Sequence, residues 1–168
     1  MRMRRSMTGL AGMAVMLMAG PIAAPAAAAP EKRAMPYYGS IGASLARMRT
    51  GPARAYPASW TYRRPDLPVK VVAAFKEWRK VQDPDGTEGW MLAVLLRNTR
   101  TAIVRSSEPL PMRSAPSDDA KTLWRAAPGV VGRISECNGG WCRLDVKGQA
   151  GFVPVGAIWG VEPGETLP

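Results

Sequence analysis

The chain contains no histidine. That removes the usual general base, the usual zinc ligand, and every Ser/His/Asp or Cys/His nucleophile arrangement. With two cysteines in all, no four-thiolate metal site can be assembled either. No glycine-rich phosphate loop follows a strand pattern, and no serine or lysine has an identifiable base beside it. The expectation is a protein that is not an enzyme and carries no cofactor. Long uninterrupted helical stretches are equally scarce. Sixteen prolines and 17 glycines among 168 residues cut the chain into short strands and turns. That length holds one ordinary domain or two small ones.

What is present begins with a leader-like segment. Met1 to Arg5 carries three arginines, Met7 to Ala19 is an apolar run, and Pro21 to Pro30 is alanine and proline. These are the three regions of a secretory signal peptide, and the apolar run is shorter than a membrane span requires. Cleavage after Ala28 is expected, because Ala26 and Ala28 then fill the small-residue positions and Pro30 does not follow the cut directly. The mature protein is expected in the periplasm with no membrane span.

Without the leader's three arginines the 23 basic residues become 20 against 13 acidic ones, a net charge of +7. From Ala29 to Val104 there are 13 basic and 6 acidic residues, and from Arg105 to Pro168 there are 7 of each. A partner held by charge would therefore dock on the first half, unless the excess serves solubility alone.

The chain repeats itself. Trp78 and the Gly89-Trp90 pair have counterparts in Trp141 and Gly151-Phe152, at spacings of 63 and 62 residues. Such a period marks two copies of one unit. We read residues 1–28 as signal peptide, 29–40 as an extension, 41–96 and 108–161 as the two units, 97–107 as connector and 162–168 as a tail. The connector could be a linker or a shared edge strand. Val69, Val71, Ala73 and Phe75 alternate with Lys70, Val72 and Ala74, the period of a half-buried strand. Asp83-Pro84-Asp85-Gly86 is a tight turn, and Cys142, Leu144 and Val146 share one side of a strand. Short hairpins at this spacing predict a small all-β barrel or sandwich in each half.

Met48-Arg49-Thr50-Gly51-Pro52, the strand Leu67 to Val72, Glu77-Trp78-Arg79-Lys80-Val81 and Gly86-Thr87-Glu88-Gly89-Trp90-Met91 resemble the bacterial SH3-like domains of exported and cell-wall-associated proteins. Tyr37-Tyr38-Gly39-Ser40 resembles the start of a two-module subgroup. The similarity covers nearly all of Tyr38 to Val161; the second copy departs, with Pro111 to Pro116 where Arg-x-Gly-Pro would stand and Phe152 for the second tryptophan. The resemblance implies two tandem five-stranded barrels after a signal-peptide helix, and a binding or targeting role toward cell-wall peptides or protein partners.

Cys137 and Cys142 flank the turn Asn138 to Trp141, and cross-strand neighbours at a turn are close enough for a disulfide. A structural disulfide is expected, with free thiols or a redox or metal pair as alternatives. If Ile134 faces the core, strict alternation turns Cys137 outward while Leu144 turns Cys142 inward, so a bulge must reconcile them. Asp83, Asp85 and Glu88 do not follow the alternation of a calcium loop and are read as a turn. The binding candidates are Arg49, Trp60, Tyr62, Trp78, Arg79 and Lys80, where aromatic faces can stack on an extended peptide while cations take its carboxylates. Trp78 shares its parity with Lys80 rather than Val81. Trp90 and Phe152 are expected in the cores, and Trp124, Trp141 and Trp159 are read as structural. The expected partner is a peptidoglycan stem peptide or an envelope protein segment. A ligand-free scaffold module is the alternative, and a nucleic-acid binder, although basic and aromatic residues in a small barrel would suit one, sits poorly with an exported chain.

Overall fold

The structure, a computed structural model, describes residues 34–168, so the leader read from the sequence lies outside the described residues. In the first half the strands are β1 (Tyr37–Ile41), β2 (Ala46–Arg49), β3 (Ala58–Tyr62), β4 (Pro68–Phe75), β5 (Trp78–Gln82), β6 (Glu88–Leu92) and β7 (Leu96–Arg97). They form one antiparallel sheet in the order β3-β2-β6-β5-β4-β1-β7. The second half holds β8 (Thr101–Val104), β9 (Leu110–Arg113), β10 (Thr122–Ala126), β11 (Val131–Asn138), β12 (Trp141–Val146), β13 (Gln149–Pro154) and β14 (Ile158–Trp159). Its order, β10-β9-β13-β12-β11-β8-β14, is the first order shifted by seven elements. The tandem all-β architecture expected from the sequence is present. Each half has seven strand segments, the first and last of which, β1 with β7 and β8 with β14, pair with each other. β1 begins within the stretch read as an extension, and β8 lies within the stretch read as a connector.

The repeat extends to irregularities. Register shifts fall between Val71 and Ala73 in the β4–β5 pair and between Ile134 and Glu136 in the β11–β12 pair. The second is the bulge that the cysteine parity demanded: Ile134 and Cys137 are both buried, with two exposed residues between them. After β2 and β9 the loops close through the same backbone hydrogen bonds, Thr50 N–H to Pro57 O and Ser114 N–H to Lys121 O, 64 residues apart. Arg49 Nη1 donates to Tyr56 O at 2.6 Å, and Arg113 Nη1 donates to Ala120 O at 2.9 Å. Arg113-Ser114-Ala115-Pro116 is thus a working copy of Arg49-Thr50-Gly51-Pro52.

Each sheet wraps one core. Ile41, Met48, Val71, Val81 and Met91 fill the first, and Val104, Met112, Ile134, Leu144 and Val153 fill the second. Trp90 and Phe152, expected inside, are instead half-buried on the outer face. The register explains the correction. Val81 faces Gly89 and Leu144 faces Gly151, so Met91 and Val153 take the inward parity and the aromatic between them turns out.

The two halves meet in a polar and aromatic seam. Ile103 and Val131 of the second half pack against the first core. The Tyr38 ring meets Trp159 edge-on, with centroids 5.2 Å apart. Arg100 donates to both carboxylate oxygens of Glu165, at 2.5 and 3.0 Å, and to Gly160 O at 2.8 Å. Lys70 pairs with Glu162. The Arg100 hydrogen bonds hold the Glu165 carboxyl below its usual range, while burial above all, and then the charges of Glu162 and Glu165, push the Tyr38 hydroxyl up to about 12.

Candidate functional site

The outer face of β2, β6 and β5 carries the side chains that alternate away from the first core. Trp78 faces Leu92 across the ladder, Lys80 faces Trp90, and Arg49 faces Trp90 from the other side. The parity expected for Trp78 and Lys80 therefore holds. Arg47 precedes Arg49 by two residues on β2 and projects from the same face, whereas Ala46 and Met48 go inward.

A cleft of about 320 Å³ opens on this face, lined by Leu45, Arg47, Arg49, Arg54, Trp78, Leu92 and Leu95. Trp78 is only 4% exposed, so it forms a floor rather than a free blade. Three arginines line the cleft and no acidic residue does. Arg49 is held by its bond to Tyr56 O, which fixes one guanidinium, while Arg47 and Arg54 are exposed and take part in none of the ion pairs among the described residues. Guanidinium forks around an indole and three leucines suit a ligand that offers a carboxylate beside an apolar or planar group.

The structure brings only part of the expected set to this cleft. Arg49 and Trp78 line it. Trp60 stands on β3, 58% exposed, with its ring 6.5 Å from that of Tyr62. Tyr62 is buried, and its hydroxyl donates to Asp83 Oδ2 at 2.7 Å; burial first, and then this bond, raise its pKa. Arg79 Nη1 donates to the carbonyls of Lys76 and Trp78, both at 2.9 Å. Lys80 pairs with Glu88 at 2.6 Å. Arg47, Arg54 and the three leucines lie outside the expected set, although the i, i+2 spacing of Arg47 and Arg49 beside inward Met48 could have found Arg47. Asp83 Oδ1 accepts the amides of Asp85 and Thr87 at 3.0 and 2.8 Å, so its carboxylate organises the turn. Cys137 and Cys142 are joined in a disulfide and fully buried.

The equivalent face of the second half keeps the frame and loses the charge. Arg113 and Trp141 stand where Arg49 and Trp78 do, but register and loop equivalence put Pro111 at the place of Arg47, Asp118 at Arg54, Pro154 at Leu92 and Ala157 at Leu95.

No curated protein matches the chain. Among solved structures it is similar to NlpC1 from Trichomonas vaginalis (14% identity, TM-score 0.34, covering 82% of this chain and 50% of that one). It is also similar to an NlpC/P60 family protein from Bacillus cereus (15% identity, TM-score 0.33, covering 72% and 55%). The chain spans about half the length of these proteins. Residues 42–98 and 106–160 each match the bacterial SH3 domain family. Two matches of this extent, falling on two sheets of one strand order, make the chain a tandem member of the bacterial SH3 domain family.

Proposed function

We propose that the protein is a non-catalytic binding module of the periplasm and cell envelope, and that its first barrel recognises a carboxylate-bearing peptide, either a peptidoglycan stem or an acidic envelope-protein segment. The observation that carries this reading is the cleft with three arginines and no acid over the Trp78 ring. Bidentate guanidinium pairing supplies orientation, and the indole and leucines bury the flanking part of the ligand. The leader-like start of the sequence, the absence of histidine and the membership in the bacterial SH3 domain family support the same reading.

The test is calorimetric titration of the full chain with a soluble muropeptide and, separately, with an acidic linear peptide. Saturable binding of at least one is expected. Arg54→Asp, which writes in the residue of the second barrel, is expected to weaken it about tenfold or more. Arg47 and Arg54 are exposed, so their replacement leaves the core untouched. Absence of binding to both ligands, or an affinity that survives Arg54→Asp combined with Arg47→Ala, overturns the proposal.

A further inference from the structure

The first and second sheets each end on an edge strand that displays a tryptophan. β3 and β10 stand at the ends of their sheet orders, each paired on one side only. Trp60 on β3 is 58% exposed, and Trp124 on β10 is 44% exposed. They are the same position in the two copies: Trp60 stands opposite core Met48 and Trp124 opposite core Met112, beside a register shift in both pairs. Trp124, read as structural from the sequence, is exposed on this edge. Core packing does not explain two exposed indoles at matching places, and the cleft described above includes neither. Exposed apolar rings beside open backbone donors and acceptors are the ingredients of strand addition, in which main-chain bonds give affinity and the rings select side chains.

We infer that the outer edges of β3 and β10 are docking sites for extended peptide segments bearing acidic side chains. Charge selects this occupant. Neither strand contains an acidic residue, Arg63 and Arg64 follow β3 directly, and Lys121 and Arg125 flank Trp124. All four cations are exposed, and none enters an ion pair among the described residues. Such cations repel a second copy of the same edge, and the register shifts beside the tryptophans make copy-to-copy pairing poorer still. A foreign acidic strand escapes the charge repulsion and meets the irregularity of one edge, where a second copy would bring two. Asp118 and Asp119 lie in the loop before β10, so the β10 edge is the weaker of the two for an acidic partner.

The probe is a ten-residue peptide alternating valine and glutamate, titrated into isotopically labelled full chain and followed by amide chemical shifts and stoichiometry. With the cleft disabled by Arg47→Ala/Arg54→Asp, two peptides per chain are expected, the tighter shifting β3 amides and the weaker β10 amides. Trp60→Ala is expected to weaken the tighter site about fivefold or more and Trp124→Ala the weaker one, each leaving the other intact. A matched peptide with proline at every second position, which lacks the donors for a ladder, is expected not to bind. Equal binding of the proline peptide would show attraction by charge alone and overturn strand addition. Unchanged binding in the Trp60→Ala/Trp124→Ala double variant would do the same, as would a peptide-independent dimer of the full chain abolished by Trp60→Ala, which would make a second copy the occupant.

Discussion

The two barrels are one design carried out twice, and their differences separate what the frame needs from what has been added to it. Strand order, both kinds of bulge, the loop clamped by Arg49 or Arg113, and the aromatic at Trp78 or Trp141 are shared. The additions are local. The first barrel holds a buried Tyr62–Asp83 hydrogen bond where the second has Ala126 and Val146, and it keeps three arginines around its cleft where the second keeps one and adds an aspartate. The second holds Cys137 and Cys142 at the hairpin position that Ala74 and Arg79 occupy in the first. Shared features belong to the common frame, and the unshared ones are confined to single positions within it.

The sharpest way to break that equivalence is at the shared glycines. A Cβ on Gly151 would come within 2.9 Å of the Met112 backbone carbon and 3.0 Å of Arg113 O, neither of which can move without displacing β9. A Cβ on Gly89 would meet the flexible Met48 side chain and come within 2.9 Å of Arg49 O. Gly151→Ala is therefore expected to cost about 3 kcal/mol and Gly89→Ala about 2 kcal/mol, read from denaturant midpoints. A silent Gly151→Ala would mean that the close crossing of β13 over β9 is not what fixes the second barrel.

Next in size is the disulfide, which only the second barrel has. Closing so short a loop limits the entropic gain, and reduction is expected to cost about 2 kcal/mol. Both sulfurs stay in the core after reduction, so no cavity opens. The cleaner readout is local. Leu167 N–H donates to Cys137 O at 2.9 Å, and Cys137 N–H returns a bond to Leu167 O at 3.2 Å. Reduction is expected to accelerate hydrogen exchange at these two amides while the amides of β4 and β5 keep their protection. Equal loosening of both hairpins would show that the disulfide braces the whole chain and not one barrel.

Much of this frame was legible in the sequence because the repeat and the alternation are short-range signals. The conflict between Ile134 and Cys137 even located a bulge, since period 2 leaves no other way to bury both. Anchoring the repeat on Trp78 and Trp141 at 63 residues hid the Trp60–Trp124 match, which runs at 64 because the segment from the loop to the next hairpin is one residue shorter in the second copy. Trp90 was misplaced because size suggested a core residue, whereas the decisive feature was its neighbour: glycine lets β6 cross β2 closely, and the aromatic beside it must turn outward. The site was legible in kind and not in membership. Basic and aromatic residues crowd the first half, but composition does not say which share a face, and Tyr62, Arg79 and Lys80 found partners inside their own barrel.

The smallest expected effect concerns alkali, and it falls on the first barrel alone. Its two tyrosines with raised pKa, Tyr38 and Tyr62, correspond to Thr101 and Ala126 in the second, which do not ionise. Tyr38 sits in the seam beside Glu162 and Glu165, and its hydroxyl keeps its proton up to about 12, against 10.0 for an unperturbed tyrosine. Below pH 10 the folded and unfolded chains both hold that proton and nothing changes. From pH 10 to about 12 the unfolded chain releases it while the folded chain does not, so the unfolded state is favoured and stability falls as pH rises. Tyr38→Phe removes this contribution and leaves that of Tyr62. Urea midpoints measured from pH 9 to pH 12 are therefore expected to fall less steeply in Tyr38→Phe than in the unaltered protein, with the difference confined to the region above pH 10. A variant whose midpoints track the unaltered protein across that window would place the Tyr38 hydroxyl in water, and the seam between the barrels would then lack the enclosed aromatic contact with Trp159 that joins them.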